Sequence, residues 1–170
     1  MPIRDFSPIL NSPALNDPPA DRQARLQLAC DLVWDHFGLH KPARPAYSWI
    51  GFYEIAPARD SMTLIARRDK PACSPLGMHG MCGRCWTARR PLLIADCTKA
   101  SGGYIACDPK DRGEVVIPLF TPTGECWGVF DADSYEADAF DDADVLGLTT
   151  LVERLGISTP PRNPEPTLRL

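Results

Sequence analysis

The sequence predicts an α+β domain, with a mostly antiparallel central sheet flanked by helices, and three observations carry that expectation. Amphipathic helical patterns stand toward both ends of the chain, runs rich in aromatic and β-branched residues lie between them, and the connection TPTGE joins two of those runs as a hairpin. With 170 residues, 44% of them hydrophobic, the chain is long enough to bury one core and too short for several domains.

The elements follow in order. Residues 1–20 hold five of the 18 prolines and no sustained period, so they read as a flexible Pro-rich segment. Leu26, Ala29, Cys30, Val33 and Phe37 recur at three- and four-residue spacing before Gly38, which suits an amphipathic helix with a glycine stop. In YSWIGFYEI a period of two puts Trp49, Gly51 and Tyr53 on one face of a strand and Ile50 and Phe52 on the other. A second strand is expected over Met62 to Ala66. The stretch from Lys70 to Ser101 mixes Gly, Pro and Cys and offers one short helix near Cys82 to Arg89. Glu114 to Leu119 and Cys126 to Ala132 read as strands joined across TPTGE. Asp141, Asp142 and Asp144 suit the first turn of a helix through Val145, Leu148, Leu151, Val152 and Leu155, with Gly156 at its stop. This order places the helices on one side of the sheet, in a domain over 21–157 followed by a disordered Pro-rich tail over 158–170.

A formal charge of −4 gives no electrostatic pull toward phosphate backbones or anionic lipid, so nucleic acid and membrane partners lose ground. The apolar runs fall far short of the roughly 18 residues a spanning helix needs, and the N-terminus shows no signal-peptide core. A cytoplasmic chain is expected. Seven cysteines are then many, and five of them fall between Cys73 and Cys107. In a reducing compartment such a cluster points to metal ligation or redox thiols rather than a disulfide framework.

Structural zinc needs two close-spaced ligand pairs, and only one CxxC exists, Cys82 with Cys85, with His79 the nearby imidazole. That CxxC also lacks the parallel βαβ context of a thioredoxin-like redox pair. Cys30 and Cys126, on a helix face and in a strand, read as small core hydrophobes. Asp131 and Asp133 are two apart and share one face of an extended chain, directly after the apolar run WGVF. Buried there without a counterion they would be costly; a solvated strand end is the plainer alternative. Nothing in the pattern calls for a metal or organic cofactor.

Taken together, SWIGFYEI, the KPAC and MCG cysteines, GGYIACD, GEVVIPL, GVFDADS and FDDADVLGL resemble the GAF-domain free methionine-(R)-sulfoxide reductase family, over about Trp49 to Leu155 and in the family's order. Cys107 matches the family's IACD cysteine, Cys82 its VCG cysteine and Cys73 its first, recycling cysteine. The resemblance implies a GAF-like fold and reduction of free L-methionine-(R)-sulfoxide to methionine, with thioredoxin restoring the enzyme and a possible homodimer. Thiolate attack on a sulfoxide leaves a sulfenic acid that a second thiol converts to a disulfide. By this carry-over Cys107 is the nucleophile and Cys73 its resolving partner, with Cys82 able to join a second exchange. Glu114, Asp131 and Asp133 would line the polar end of the pocket, and Trp49 with Tyr53 its apolar wall.

Three carboxylates near Cys107 would raise its pKa. A substrate ammonium would offset that charge, while one crowded carboxyl stays protonated and donates to the sulfoxide oxygen. The sequence departs from the family pattern at Tyr104, Gly113, Phe130 and Ala132, in the nine-residue step from Cys73 to Cys82, and in the extra thiols Cys85 and Cys97. The competing expectation is a non-catalytic GAF domain that senses a small ligand or redox state. The chain shows no kinase, cyclase or DNA-binding segment to receive such a signal.

Overall fold

The computed structural model describes residues 4–42, 44–99 and 107–170. Along the chain run α1 (Ser7–Leu10), a single 3₁₀ turn (Pro13–Leu15), α2 (Arg22–Phe37), β1 (Trp49–Ile55), β2 (Ser61–Arg68), β3 (Leu76–Gly77), α3 (Met81–Ala88), β4 (Leu92–Ile94), β5 (Gly113–Phe120), β6 (Cys126–Ser134), α4 (Asp142–Arg154) and β7 (Leu168–Arg169). The strands form one sheet in the order β3-β2-β1-β6-β5-β4-β7, antiparallel except where β7 joins β4 in parallel. The α+β expectation therefore stands, with β1, β6 and β5 at its centre.

Local chemistry sets the helix starts. Asp21 accepts from the Ala24 amide at 2.7 Å to cap α2, and Asp141 and Asp144 form a reciprocal capping box on α4. The period of two along β1 sends Ile50 and Phe52 into a core with Val115, Ile117, Phe130 and Ala132, which α1, α2 and α4 cover. Trp49 and Tyr53 go to the opposite face, with Val116 and Val129, where α3 packs its Met81, Cys82 and Cys85. This corrects the expectation of helices on one side only. The glycine, proline and cysteine residues of the middle segment obscured α3's apolar face.

The ends also differ from expectation. Residues 4–20 are not a loose segment: Phe6, Ile9 and Leu15 are buried in the same core as α2 and α4. Prolines in the first turn of α1 and of the 3₁₀ turn start these elements instead of breaking them, because their missing N–H is an orphan there anyway. Gly147 makes the docking possible, since a Cβ at that position would stand 2.2 Å from the Phe6 ring. At the other end the tail is paired rather than disordered: the Thr159 amide donates to Phe120 O at 3.0 Å, and the Leu168 and Leu170 amides to Pro91 O and Leu93 O at 2.8 and 2.9 Å.

One ionic contact locks the N-terminal segment. Arg4 donates to Asp144 Oδ1 and to Ala139 O, each at 2.8 Å, while Tyr47 donates to the same carboxylate oxygen at 2.9 Å. The guanidinium lies over the Tyr47 and Phe140 rings, at 4.6 and 5.2 Å from their centroids. Both charged side chains are almost wholly buried, so removing one strands the other in low dielectric. Asp144→Ala is expected to cost about 3–5 kcal/mol in urea unfolding; a loss below about 1 kcal/mol would show that Arg4 rehydrates without it.

Candidate active site

The register of the three central strands builds one face from the residues upward. Trp49 pairs with Asp133, which pairs in turn with Glu114; Gly51 pairs with Asp131, which pairs with Val116. Side chains at these rungs point the same way, so two aromatics and three carboxyls, distant in sequence, meet under α3. Glu114, Asp131 and Asp133 are 5%, 7% and 8% exposed, which removes the alternative of a solvated strand end. Cys82, in the first turn of α3, donates its thiol to Asp131 Oδ2 at 3.3 Å. Asp131 Oδ1 has no hydrogen-bond partner among the described residues.

Cys73, on the loop between β2 and β3, and Cys107, just before β5, are exposed free thiols, and Cys107 is in hydrogen-bonding contact with Cys73. Two adjoining cavities meet at Cys107, Asp131 and Asp133. One, of about 190 Å³, is lined also by Cys73, Cys82, Glu114 and His79. The other, of about 150 Å³, is lined by Trp49, Tyr53, Lys70, Asp108 and Asp111. Both are well below the roughly 300–1,000 Å³ of drug-sized sites, a scale that suits a small metabolite. All eight residues singled out in the sequence thus come together around Cys107, Asp131 and Asp133.

Trp49 and Tyr53 do more than wall the pocket. The Trp49 indole N–H donates to Lys70 O at 2.9 Å and the Tyr53 hydroxyl to Cys73 O at 3.0 Å, so the two rings pin both ends of the segment that carries Cys73. Gly51 is required for this, because a Cβ there would lie 2.4 Å from the Trp49 ring. Lys70 ties that segment to the next one through an ion pair with Asp108, the neighbour of Cys107, and both contact the Tyr135 hydroxyl. Lys70 and Asp108 are the first and last residues of the quoted KPAC and GGYIACD motifs, respectively, where sequence reasoning gave them no role; Asp111, held by Ser48 at 3.2 Å, and Tyr135 carried no signal. Tyr104 lies outside the described residues.

The remaining thiols are packed away. Cys85 donates to Arg90 O and Val116 O, at 3.3 and 3.6 Å, and Cys30, Cys97 and Cys126 are buried. Cys30 and Cys126 are core residues, as their pattern predicted.

Burial dominates the electrostatics. It pushes Asp131 up to about 7, reinforced by Asp111 and opposed by the Cys82 hydrogen bond, and pushes Asp111 up to about 6. Asp133 rises well above the usual carboxylate range through burial and then through Asp131 and Glu114. Although the residue is exposed, partial burial of its thiol pushes Cys107 up to about 12, with Cys73 and then Asp131 adding to the shift. Cys82 is raised by burial, then by Asp131 and Glu114. An unfolded Asp titrates near ~3.9, so between about pH 4 and 7 the folded chain holds protons that the unfolded chain releases. Stability therefore falls as pH rises through that window. Asp131→Asn is expected to gain stability relative to the parent between pH 5 and pH 8, read from denaturation midpoints; parallel curves would refute the assignment.

Comparison with known proteins agrees with this architecture. At 29% identity over 153 residues, the chain is similar to the free methionine-R-sulfoxide reductase of Saccharomyces cerevisiae, a match covering 88% of this chain and 82% of that protein. It is 34% identical over 110 residues to the free methionine-R-sulfoxide reductase of Escherichia coli, 64% of each. The fold is similar to the X-ray structure of free methionine-R-sulfoxide reductase from Neisseria meningitidis in complex with its substrate, with a TM-score of 0.74 at 28% identity over 92% of this chain and 89% of that one. The GAF domain profile matches residues 19–158, which contain α2, α3, α4 and the strands β1 to β6 that build the site, so the chain belongs to the GAF domain family.

Proposed function

We propose that this chain is a thiol-dependent oxidoreductase that reduces free L-methionine-(R)-sulfoxide to methionine. The observation that carries the reading is the contact between Cys73 and Cys107 at the rim of cavities floored by buried carboxyls. The relatives named for this activity support the same substrate.

Cys107 is the nucleophile. As a thiolate it attacks the sulfoxide sulfur while a protonated carboxyl, Asp131 or Asp133, donates to the oxygen. Burial already holds both carboxyls toward the neutral form. The oxygen passes to the cysteine as a sulfenic acid and methionine leaves. The Cys73 thiol then attacks the sulfenic sulfur, an S–S bond forms and water departs. Two electrons and two protons from an external dithiol, thioredoxin in this reading, return both thiols.

The raised pKa of Cys107 is the obstacle in the resting state, and the substrate relieves the part of it that the carboxyls impose. Its ammonium group, placed against Glu114, Asp131 and Asp133, offsets the negative field that disfavours the thiolate. A peptide-bound methionine sulfoxide brings an uncharged amide and a chain too large for these cavities, so it is rejected. Trp49 and Tyr53 supply the apolar surface for the S-methyl group while holding Lys70 and Cys73 in place.

The direct test mixes fully reduced protein with free methionine-(R)-sulfoxide without reductant. Stoichiometric methionine with a Cys73–Cys107 disulfide is expected; no methionine with all thiols intact would favour a ligand-sensing GAF domain instead. Cys107→Ser should form no methionine, whereas Cys73→Ser should form it once and stop at the sulfenic acid. Glu114→Gln is expected to raise KM about 30-fold, the loss of one charge-assisted contact worth about 2 kcal/mol, with Cys107 still open to alkylation. Lys70→Ala should leave the first methionine release unchanged but slow disulfide closure roughly tenfold by loosening Cys73 from Cys107, seen as sulfenic acid trapped by a dione.

A further inference from the structure

Cys82, Glu114 and Asp131 present one sulfur and two carboxylate donors that all lie within 4.8 Å of one another, and all three residues are buried. The Cys82 Sγ to Asp131 Oδ2 separation is 3.3 Å. In a tetrahedral zinc site, bond lengths near 2.0–2.3 Å put neighbouring ligand atoms ~3.4–3.6 Å apart, so no ligand pair needs to close by more than about 1.4 Å. Asp131, 93% buried by its 7% exposure, keeps Oδ1 without a hydrogen-bond partner among the described residues. A buried carboxylate oxygen left open beside a thiol and a second carboxyl is a donor awaiting a cation.

We propose that Cys82, Glu114 and Asp131 bind a divalent cation of the zinc class, with a water from the adjoining cavity as fourth ligand, and that its occupation blocks the substrate cavity. The blocking half rests on the function proposed above; the binding half does not. On binding, the Cys82 S–H proton and any proton held on the Asp131 or Glu114 carboxyl go to solvent, and S–metal and O–metal bonds take their place, with no change of oxidation state. The sulfur donor excludes magnesium and calcium, which take oxygen shells. Cys85 takes no part: its thiol is turned to Arg90 O and Val116 O, so this site does not use the CxxC pair as a unit. The cation would lie against the carboxyls proposed to hold the substrate ammonium, and the two positive groups exclude each other.

The competing ligand set is the exposed pair Cys73 and Cys107, so the experiment separates the two. Reduced protein is titrated with Co²⁺, read by thiolate-to-metal absorption in the near ultraviolet, and with Zn²⁺ against a chromophoric chelator. One equivalent is expected in the parent and in Cys73→Ser/Cys107→Ser. Cys82→Ala should lose the absorption band and weaken Zn²⁺ about 100-fold, and Glu114→Gln, which leaves the helix untouched, about tenfold. Binding that survives in Cys82→Ala and vanishes in the double variant would overturn the site, as would the absence of any band in the parent. In the parent, Zn²⁺ at saturation should lower single-turnover methionine formation at least tenfold; an undiminished yield would overturn the blocking. A Cys82-dependent band in a chain that forms no methionine would uphold the site and sink the reductase reading alone.

Discussion

Asp131 and Asp133 sit on the apolar face of β6, where burial drives both carboxyls toward the neutral form, and the arrangement of the site follows from that constraint. Neither takes part in an ion pair among the described residues. A buried carboxyl in such surroundings keeps its proton or waits for a cation. Cys82 meets the cost in part, by donating to one oxygen of Asp131. Burial first, and then the neighbouring carboxyls, raise the thiols of Cys82 and Cys107, so the carboxyls and the thiols of the resting site both lean toward their neutral forms. A positively charged ligand reverses that balance in one step.

Holding such a site open requires rigid surroundings. The sheet supplies them on one side: the opposite face of β1, β5 and β6 is packed by α1, α2 and α4, with Phe52 stacked on Phe130 at 3.9 Å between ring centroids. The Arg4–Asp144 contact extends that packing to the N-terminus. On the site's side, order comes instead from polar ties to loops. Trp49 and Tyr53 hold the Cys73 segment by its carbonyls, and Lys70 joins it to Asp108 beside Cys107. The exposed thiols of Cys73 and Cys107 are thus carried on loops and located by strands, which leaves them accessible while fixing their approach.

Much of this was readable from the chain alone, and the reasons are local. The period of two in YSWIGFYEI put Trp49 and Tyr53 together on one face, as observed, because side chains alternate on a strand whatever surrounds it. The TPTGE hairpin and both long helices follow from turn chemistry, spacing and capping residues that act within a few positions. The family resemblance supplied Cys73, Cys82, Cys107 and Glu114, which no periodicity would have joined. The Pro-rich ends were misread because composition counts prolines without knowing whether they start a helix turn, and because Phe6 and Ile9 have no period to announce a partner as distant as α4.

The sequence by itself determined the element types and the two faces of the central strands, since these depend on neighbours along the chain, and its resemblance to a family pointed to the cysteines and acids of the candidate site. Only the tertiary structure decided that Asp131 and Asp133 are buried rather than solvated, that α3 covers their face, that Trp49 and Tyr53 anchor the Cys73 loop, and that Cys82 meets Glu114 and Asp131. Burial, pKa and ligand geometry are set by strand register and by what packs above it. Those arise from contacts across dozens of residues, where a local pattern carries no information.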